Sequence, residues 1–169
     1  MDKVLSESLK ELATVLNNNN VEYMFVGGIA VSYYTKPRPS SNLPSGIDYD
    51  VDIWYSATIG NFTNLTNAIA QLHPELIEDL DKIIFNPKKV FLKFNIKNIH
   101  FDFVPEISAF SYKDFNKCFQ SKTLAQVDGI PFLFIGKDDL ILNKKTTGRE
   151  KDKHDITNLN KHSYKGFSK

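Results

Sequence analysis

The stretch Tyr49-Asp50-Val51-Asp52-Ile53-Trp54-Tyr55 places two carboxylates inside an apolar run. Its alternation predicts a strand, with Val51, Ile53 and Tyr55 on one face and Asp50, Asp52 and Trp54 on the other. Two carboxylates on one face repel unless a cation neutralises them. Oxygen donors of this kind suit Mg²⁺, which takes a few carboxylates plus substrate phosphates. A solvated strand face is the plainer explanation, but Trp54 on the same face fits it poorly. Asp48-Tyr49-Asp50 offers a second pair at the same spacing. Asp50 and Asp52 are preferred because Ile53-Trp54-Tyr55 continues the strand behind them.

Upstream, Val21 to Val26 predicts a short buried strand that runs straight into Gly27 and Gly28, and Ile29 to Tyr34 begins a helix. A Gly-Gly turn between strand and helix lets backbone N–H groups approach a phosphate with no Cβ in the way. A plain tight turn is the alternative. Val4, Leu5, Leu9, Leu12 and Leu16 recur at helical spacing, so residues 3–17 form an amphipathic helix within an N-terminal segment 1–20. The Asn17 to Asn20 run ends it. Pro37, Pro39 and Pro44 among serines mark residues 36–47 as a loop insertion.

Downstream, Phe62, Leu65, Ile69 and Leu72 mark a helix that stops before Pro74. Val90 to Phe94 and Ile99 to Val104 read as strands joined by a tight turn at Lys97 and Asn98. Asp102 lies between Phe101 and Phe103. A charge in so apolar a strand needs a partner: a metal shared with Asp50 and Asp52, or a salt bridge to a lysine. Val127-Asp128-Gly129-Ile130 carries a hairpin turn signal and leads into the apolar Pro131 to Ile135. Gly136 to Asp139 opens a helix, with Asp138 and Asp139 favourable in its first turn. Residues 160–169 are expected to form a flexible tail. Strands and helices alternate without strict regularity, which implies one α/β domain over residues 1–169 with a mixed sheet flanked by helices.

A chain of 169 residues with 41% hydrophobic residues, 13 Phe and 7 Tyr suffices for one packed core. The net charge of +1 provides no global field toward nucleic acid or membrane. Lys144, Lys145, Arg149, Lys151 and Lys153 nevertheless form a local basic patch. The single cysteine, Cys118, excludes an internal disulfide and a cysteine-based zinc site, and is expected to be a reduced, partly buried thiol. Asp2, Glu7 and Glu11 interrupt any N-terminal apolar region, and no apolar run approaches the ~20 residues of a membrane span. A cytoplasmic protein without membrane contact is expected. His73, His100, His154 and His162 lack metal-ligand spacing; His100 shares a strand face with Asp102, and an ordinary partly exposed histidine is the simpler reading.

The order strand, Gly27-Gly28, helix, Asp50-x-Asp52 strand and later Asp102 strand resembles the nucleotidyltransferase superfamily of DNA polymerase β type. The resemblance implies that Gly27 and Gly28 touch a triphosphate. It also implies that Asp50, Asp52 and Asp102 bind two Mg²⁺ (or Mn²⁺) ions ~3.5–4 Å apart. Leu140-Ile141-Leu142-Asn143-Lys144, Gly148-Arg149, Lys151-Asp152 and Asp155-Ile156 are similar to a helical signature of small bacterial nucleotidyltransferases, including relatives of abortive-infection toxins of type IV toxin–antitoxin systems. By that resemblance Lys144 contacts phosphate, Arg149 lies at the nucleotide site, and Asp152 and Asp155 orient them. A solvated, charged helix end is the alternative. Relatives carry an arginine and a threonine just before the paired Asp. Here the insertion follows Arg38, so Arg38 is not carried over.

The implied activity moves a nucleoside monophosphate from a nucleoside triphosphate to a hydroxyl-type acceptor, releasing pyrophosphate. A small molecule, a tRNA end and a protein side chain are all open as acceptor. The alternative is a non-catalytic module of the same fold in a toxin–antitoxin or regulatory complex, with a cognate antitoxin or a second copy of the chain as partner.

Overall fold

A computed structural model describes residues 3–35 and 49–161. The 36–47 insertion with Arg38, the neighbouring Asp48, and residues 162–169 of the expected tail lie outside the described residues.

Helix α1 (Lys3–Asn18) turns Leu5, Leu9, Leu12 and Leu16 inward, as its spacing predicts. Asn20, in the left-handed region at φ 54°, ends it. Strand β1 (Tyr23–Phe25), helix α2 (Gly27–Tyr34) and strand β2 (Tyr49–Tyr55) follow. Helix α3 (Ile59–Leu72) begins at Thr58, whose hydroxyl accepts from the Asn61 amide. After the short α4 (Ile77–Asp81) come β3 (Leu92–Ile96) and β4 (Ile99–Val104), with Lys97 left-handed in the turn between them. Helix α5 (Phe115–Gln120) precedes the hairpin β5 (Thr123–Val127) and β6 (Ile130–Phe134). Asp128 and Gly129 both take positive φ there, as the Asp-Gly signal requires. Helices α6 (Lys137–Thr147) and α7 (Glu150–Lys161) complete the described chain, α7 taking in the first two residues of the expected tail. Among the described residues no helix is long and apolar enough to cross a membrane.

The six strands form one mixed sheet in the order β3-β4-β2-β1-β6-β5. The β2–β4 and β1–β6 pairs are parallel and the rest antiparallel. Val51, Ile53, Phe101, Phe103, Tyr23 and Phe25 are buried, and their face of the sheet packs under α1, where the Tyr23 hydroxyl reaches Asn17. Buried Asn61 closes the neighbouring turn by bonding the Glu22 amide and the Glu22 and Ser56 carbonyls.

Short elements depart most from sequence expectation. Helices α4 and α5 are too short to show a helical period. Ser111 and Asp114, which cap each other's backbone ahead of α5, were its available signal. Strand β3 starts at Leu92, two residues later than predicted.

Candidate active site

The parallel register aligns Asp50 with His100, Asp52 with Asp102 and Trp54 with Val104. The antiparallel register of β3 adds Lys93 opposite Asp102 and Asn95 opposite His100. Paired residues on neighbouring strands point to the same face, about 4.8 Å apart. Three strands thus present rows on the face away from α1: Lys93-Asp102-Asp52 in the middle and Asn95-His100-Asp50 on one side.

Trp54 closes the other side of this charged row. It is fully buried, stacks on Phe110 with ring centroids 5.8 Å apart, and meets Phe115 edge-on. Its Nε1 donates to the Pro105 carbonyl at 2.9 Å. The tryptophan that shares the aspartates' face therefore belongs to the core, and the carboxylates begin where the apolar cover stops.

Strand β1 delivers Gly27 directly onto this row. The Val26 amide donates to the Asp52 carbonyl, and Gly27 then adopts φ 60°. A Cβ there would lie 2.3 Å from Asp52 Oδ2. Gly28 differs: it is exposed, and a Cβ on it would meet nothing within 4 Å. Helix α2 thus starts beside the Asp52 carboxyl, and Val26 provides no side-chain cap for its first amides.

Burial raises the Asp52 pKa above the ordinary carboxylate value, and the charges of Asp102 and Asp50 raise it further; Lys144 and Arg149 pull the other way. Asp102 is held differently. Lys93 Nζ donates to Asp102 Oδ2 at 2.6 Å, so the sequence alternative of a lysine salt bridge is realised. This bond and the Asp102 charge raise the Lys93 pKa, with Asp50 and Asp52 adding to it. His100 Nδ1 lies 2.6 Å from Asn95 Oδ1. Among the described residues no three His, Cys, Asp or Glu side chains are drawn closely enough to hold a metal by themselves.

The donor set still suits magnesium. Mg²⁺ is usually bound through one or two carboxylates, with substrate phosphates and water completing the shell. Asp52, its pKa raised by burial and then by two neighbouring carboxylates, is a group whose charge a cation would relieve.

The basic run of α6 and α7 is divided: Lys145, Arg149, Lys151 and Lys153 are exposed, whereas Lys144 is buried. Lys144 is 4% exposed and gives its ammonium to Asp152 at 2.9 Å and Asp155 at 3.0 Å. Arg149, whose side chain is half exposed, donates from Nε and Nη2 to the fully buried Asp152. Burial opposes ionisation of Asp152, but the bonds from Arg149 and Lys144 outweigh it and hold the carboxyl far below its usual range. Lys153 pairs with Glu150 on the surface. The Lys-x₄-Arg-x₂-Asp-x₂-Asp spacing is therefore a buried ion-pair cluster joining two helices, rather than a solvated helix end. Helix α2 contacts both α6 and α7, which brings this cluster up to the carboxylate row.

No protein-family model and no curated protein matches the sequence. Solved structures do match the fold. An antigenic nucleotidyltransferase-like protein from Paracoccidioides brasiliensis superposes with a TM-score of 0.57 at 15% identity, over 94% of this chain and 76% of the other. The lincosamide antibiotic adenylyltransferase LnuA, bound to lincomycin, gives 0.51 at 17% identity over 96% of this chain and 98% of its own. The chain has a nucleotidyltransferase-type fold. At these identities the likeness concerns architecture, and the chemistry rests on this chain's own residues.

Sequence reading singled out Asp50, Asp52, Asp102, Gly27, Gly28, Lys144 and Arg149. The fold brings the three aspartates onto one face and Gly27 against Asp52. It places Lys144 inside the ion-pair cluster and leaves Arg149 half open to solvent. Lys93 was not singled out. Its signal was alternation: Leu92, Phe94 and Ile96 face the core, so Lys93 and Asn95 share the opposite face.

Proposed function

We propose that the chain is a metal-dependent nucleotidyltransferase that moves a nucleoside monophosphate from a nucleoside triphosphate to a hydroxyl-bearing acceptor. The supporting observation is the pairing of Asp52 with Asp102, with Asp50 on the same face and Gly27 against the Asp52 carboxyl. Asp50, Asp52 and Asp102 would hold Mg²⁺ or Mn²⁺, with Asp102 as the carboxylate on the acceptor side. When bound, the metal supplies charge neutralisation at the phosphates and at the attacking and leaving oxygens. Gly27 and Gly28 present the first amides of α2 to the triphosphate. Arg149 faces the nucleotide by contact. Lys144, committed to Asp152 and Asp155, contributes through its field at Asp52. Asp102 accepts the hydrogen bond of the acceptor hydroxyl and receives its proton. Positioning and electrostatics dominate, since phosphoryl-type transfer asks little covalent chemistry of a protein.

LnuA is described as an adenylyltransferase of a lincosamide antibiotic, so a small hydroxyl-bearing molecule is the first acceptor class to test here, ahead of a tRNA end or a protein side chain. A cytoplasmic setting and a cognate antitoxin or second copy as partner belong to the same proposal. The test pairs thermal unfolding with pyrophosphate release for each of the four ribonucleoside triphosphates. With Mg²⁺ or Mn²⁺, one or more triphosphates should raise the unfolding midpoint, by about 2.7 kcal/mol of stabilisation at a hundredfold excess over Kd. EDTA should remove the shift. Equal shifts with and without EDTA would reject these carboxylates as the site. A metal-dependent shift without pyrophosphate release from any acceptor class would favour the non-catalytic module.

A further inference from the structure

We infer that Lys93 is the resident counter-ion of Asp102, occupying that carboxylate until a divalent cation displaces it. The inference rests on the metal site proposed above. Lys93 Nζ lies 2.6 Å from Asp102 Oδ2, and Asp102 is aligned with Asp52 on the next strand. The two partners differ in exposure: the Lys93 side chain is 70% exposed and that of Asp102 26%. The carboxylate is fixed in the sheet, whereas the lysine reaches it from edge strand β3 on a long stem in solvent.

An ammonium and a divalent cation cannot share one carboxylate oxygen without strong like-charge repulsion. A cation at the same Oδ2 therefore requires Lys93 to swing away, and one at Oδ1 is still weakened by the ammonium beside it. Because an exposed ion pair contributes little, the swing costs little. Lys93 thus weakens metal binding in the nucleotide-free protein without preventing it, and a triphosphate that adds its own oxygens tips the exchange. Lys144 shows the contrast. Its buried ammonium is fixed between Asp152 and Asp155 and has no path to exchange. Lys93 is accordingly a positioning residue, acting through Asp102.

The test measures Mn²⁺ binding to the full chain without nucleotide, by the electron paramagnetic resonance of free Mn²⁺. Wild type, Lys93→Met, Lys93→Gln and Lys93→Arg are compared. Loss of the competing charge should tighten Mn²⁺ binding roughly two- to fivefold in Lys93→Met and Lys93→Gln, the range expected for an exposed pair. Lys93→Arg should bind as wild type does. The difference should shrink as ionic strength rises. Circular dichroism of each variant verifies the fold, which a residue this exposed should not disturb. Equal or weaker Mn²⁺ binding by both neutral variants, with wild type binding normally, overturns the inference and leaves the proposed activity standing. No Mn²⁺ binding by the folded neutral variants, where a triphosphate still gives a metal-dependent thermal shift, overturns the inference alone. No binding and no such shift in wild type and variants overturn the metal site itself, and the inference with it.

Discussion

Gly27 stands so close to Asp52 that a Cβ on it would lie 2.3 Å from the carboxylate oxygen Oδ2. The contact couples the backbone conformation that opens α2 to the position of one acidic side chain. Gly27→Ala meets both constraints. The left-handed φ of 60° strains any residue with a Cβ, at roughly 1–3 kcal/mol, and Asp52 must also move. The unfolding midpoint should fall, and stabilisation by Mn²⁺ with triphosphate should be lost. Gly28→Ala is the control, because its Cβ would enter open space. It should fold as wild type and lose triphosphate affinity only through the closer approach of a phosphate. Wild-type stability and nucleotide response in Gly27→Ala would show that the two residues are not coupled.

Asp52→Asn separates ligand chemistry from folding. Burial raises the Asp52 pKa, with Asp102 and Asp50 adding to it. A carboxyl raised in the folded state stabilises while protonated, and that contribution is lost as pH rises through the folded value. Near neutral pH the ionised Asp52 is therefore a liability that Asn removes. The metal-free variant should unfold at the same or a higher temperature than wild type. Its advantage should fade on acidification below about 4, where the unfolded group also protonates. With Mn²⁺ and triphosphate present the ranking should reverse. If Asp52→Asn is the less stable protein without metal, the carboxylate has a structural role and the proposed site loses its centre.

Much of this site was legible before folding because strand geometry is regular. Alternation placed Asp50 and Asp52 on one face, and Asp102 stood out as a charge between two phenylalanines. Sequence alone could not say that β2 and β4 are parallel neighbours in the register that sets Asp102 beside Asp52. That pairing spans 50 residues and depends on the whole sheet order. Lys93 was missed for the same reason, since only the β3–β4 register brings it to Asp102. Trp54 spoke against a plainly solvated face, and it is fully buried there, covered by the loop residues Pro105 and Phe110, which the sequence did not identify. The basic C-terminal run was legible in part. The resemblance already had Asp152 and Asp155 orient Lys144 or Arg149, but it did not show that the packing of α6 on α7 buries Lys144, 8 and 11 residues from its two partners.

Lys144, Asp152 and Asp155 should carry the largest single-residue effect on stability outside the apolar core. Lys144 and both carboxylates are almost fully buried, with the ammonium within 3.0 Å of each. Lys144→Met removes the cation and leaves two buried carboxylates facing each other, a change expected to cost about 3–5 kcal/mol. Arg149→Met removes a half-exposed partner of the buried Asp152 and should cost less than Lys144→Met, because Lys144 still holds that carboxylate. The pH dependence has a defined sign. Bonds from Arg149 and Lys144 hold Asp152 below its ordinary value despite burial, so its contribution is present above the unfolded value of about 3.9. It is lost as pH falls toward the folded value. Wild type should therefore exceed Asp152→Asn in stability by the widest margin near neutral pH, with the gap closing on acidification. Asp52→Asn should show the opposite sign over the same range, which makes the pair an internal control. Denaturant unfolding of wild type, Asp152→Asn and Asp52→Asn across that range checks both. A gap between wild type and Asp152→Asn that stays constant with pH would mean that the Asp152 charge contributes nothing beyond its hydrogen bonds.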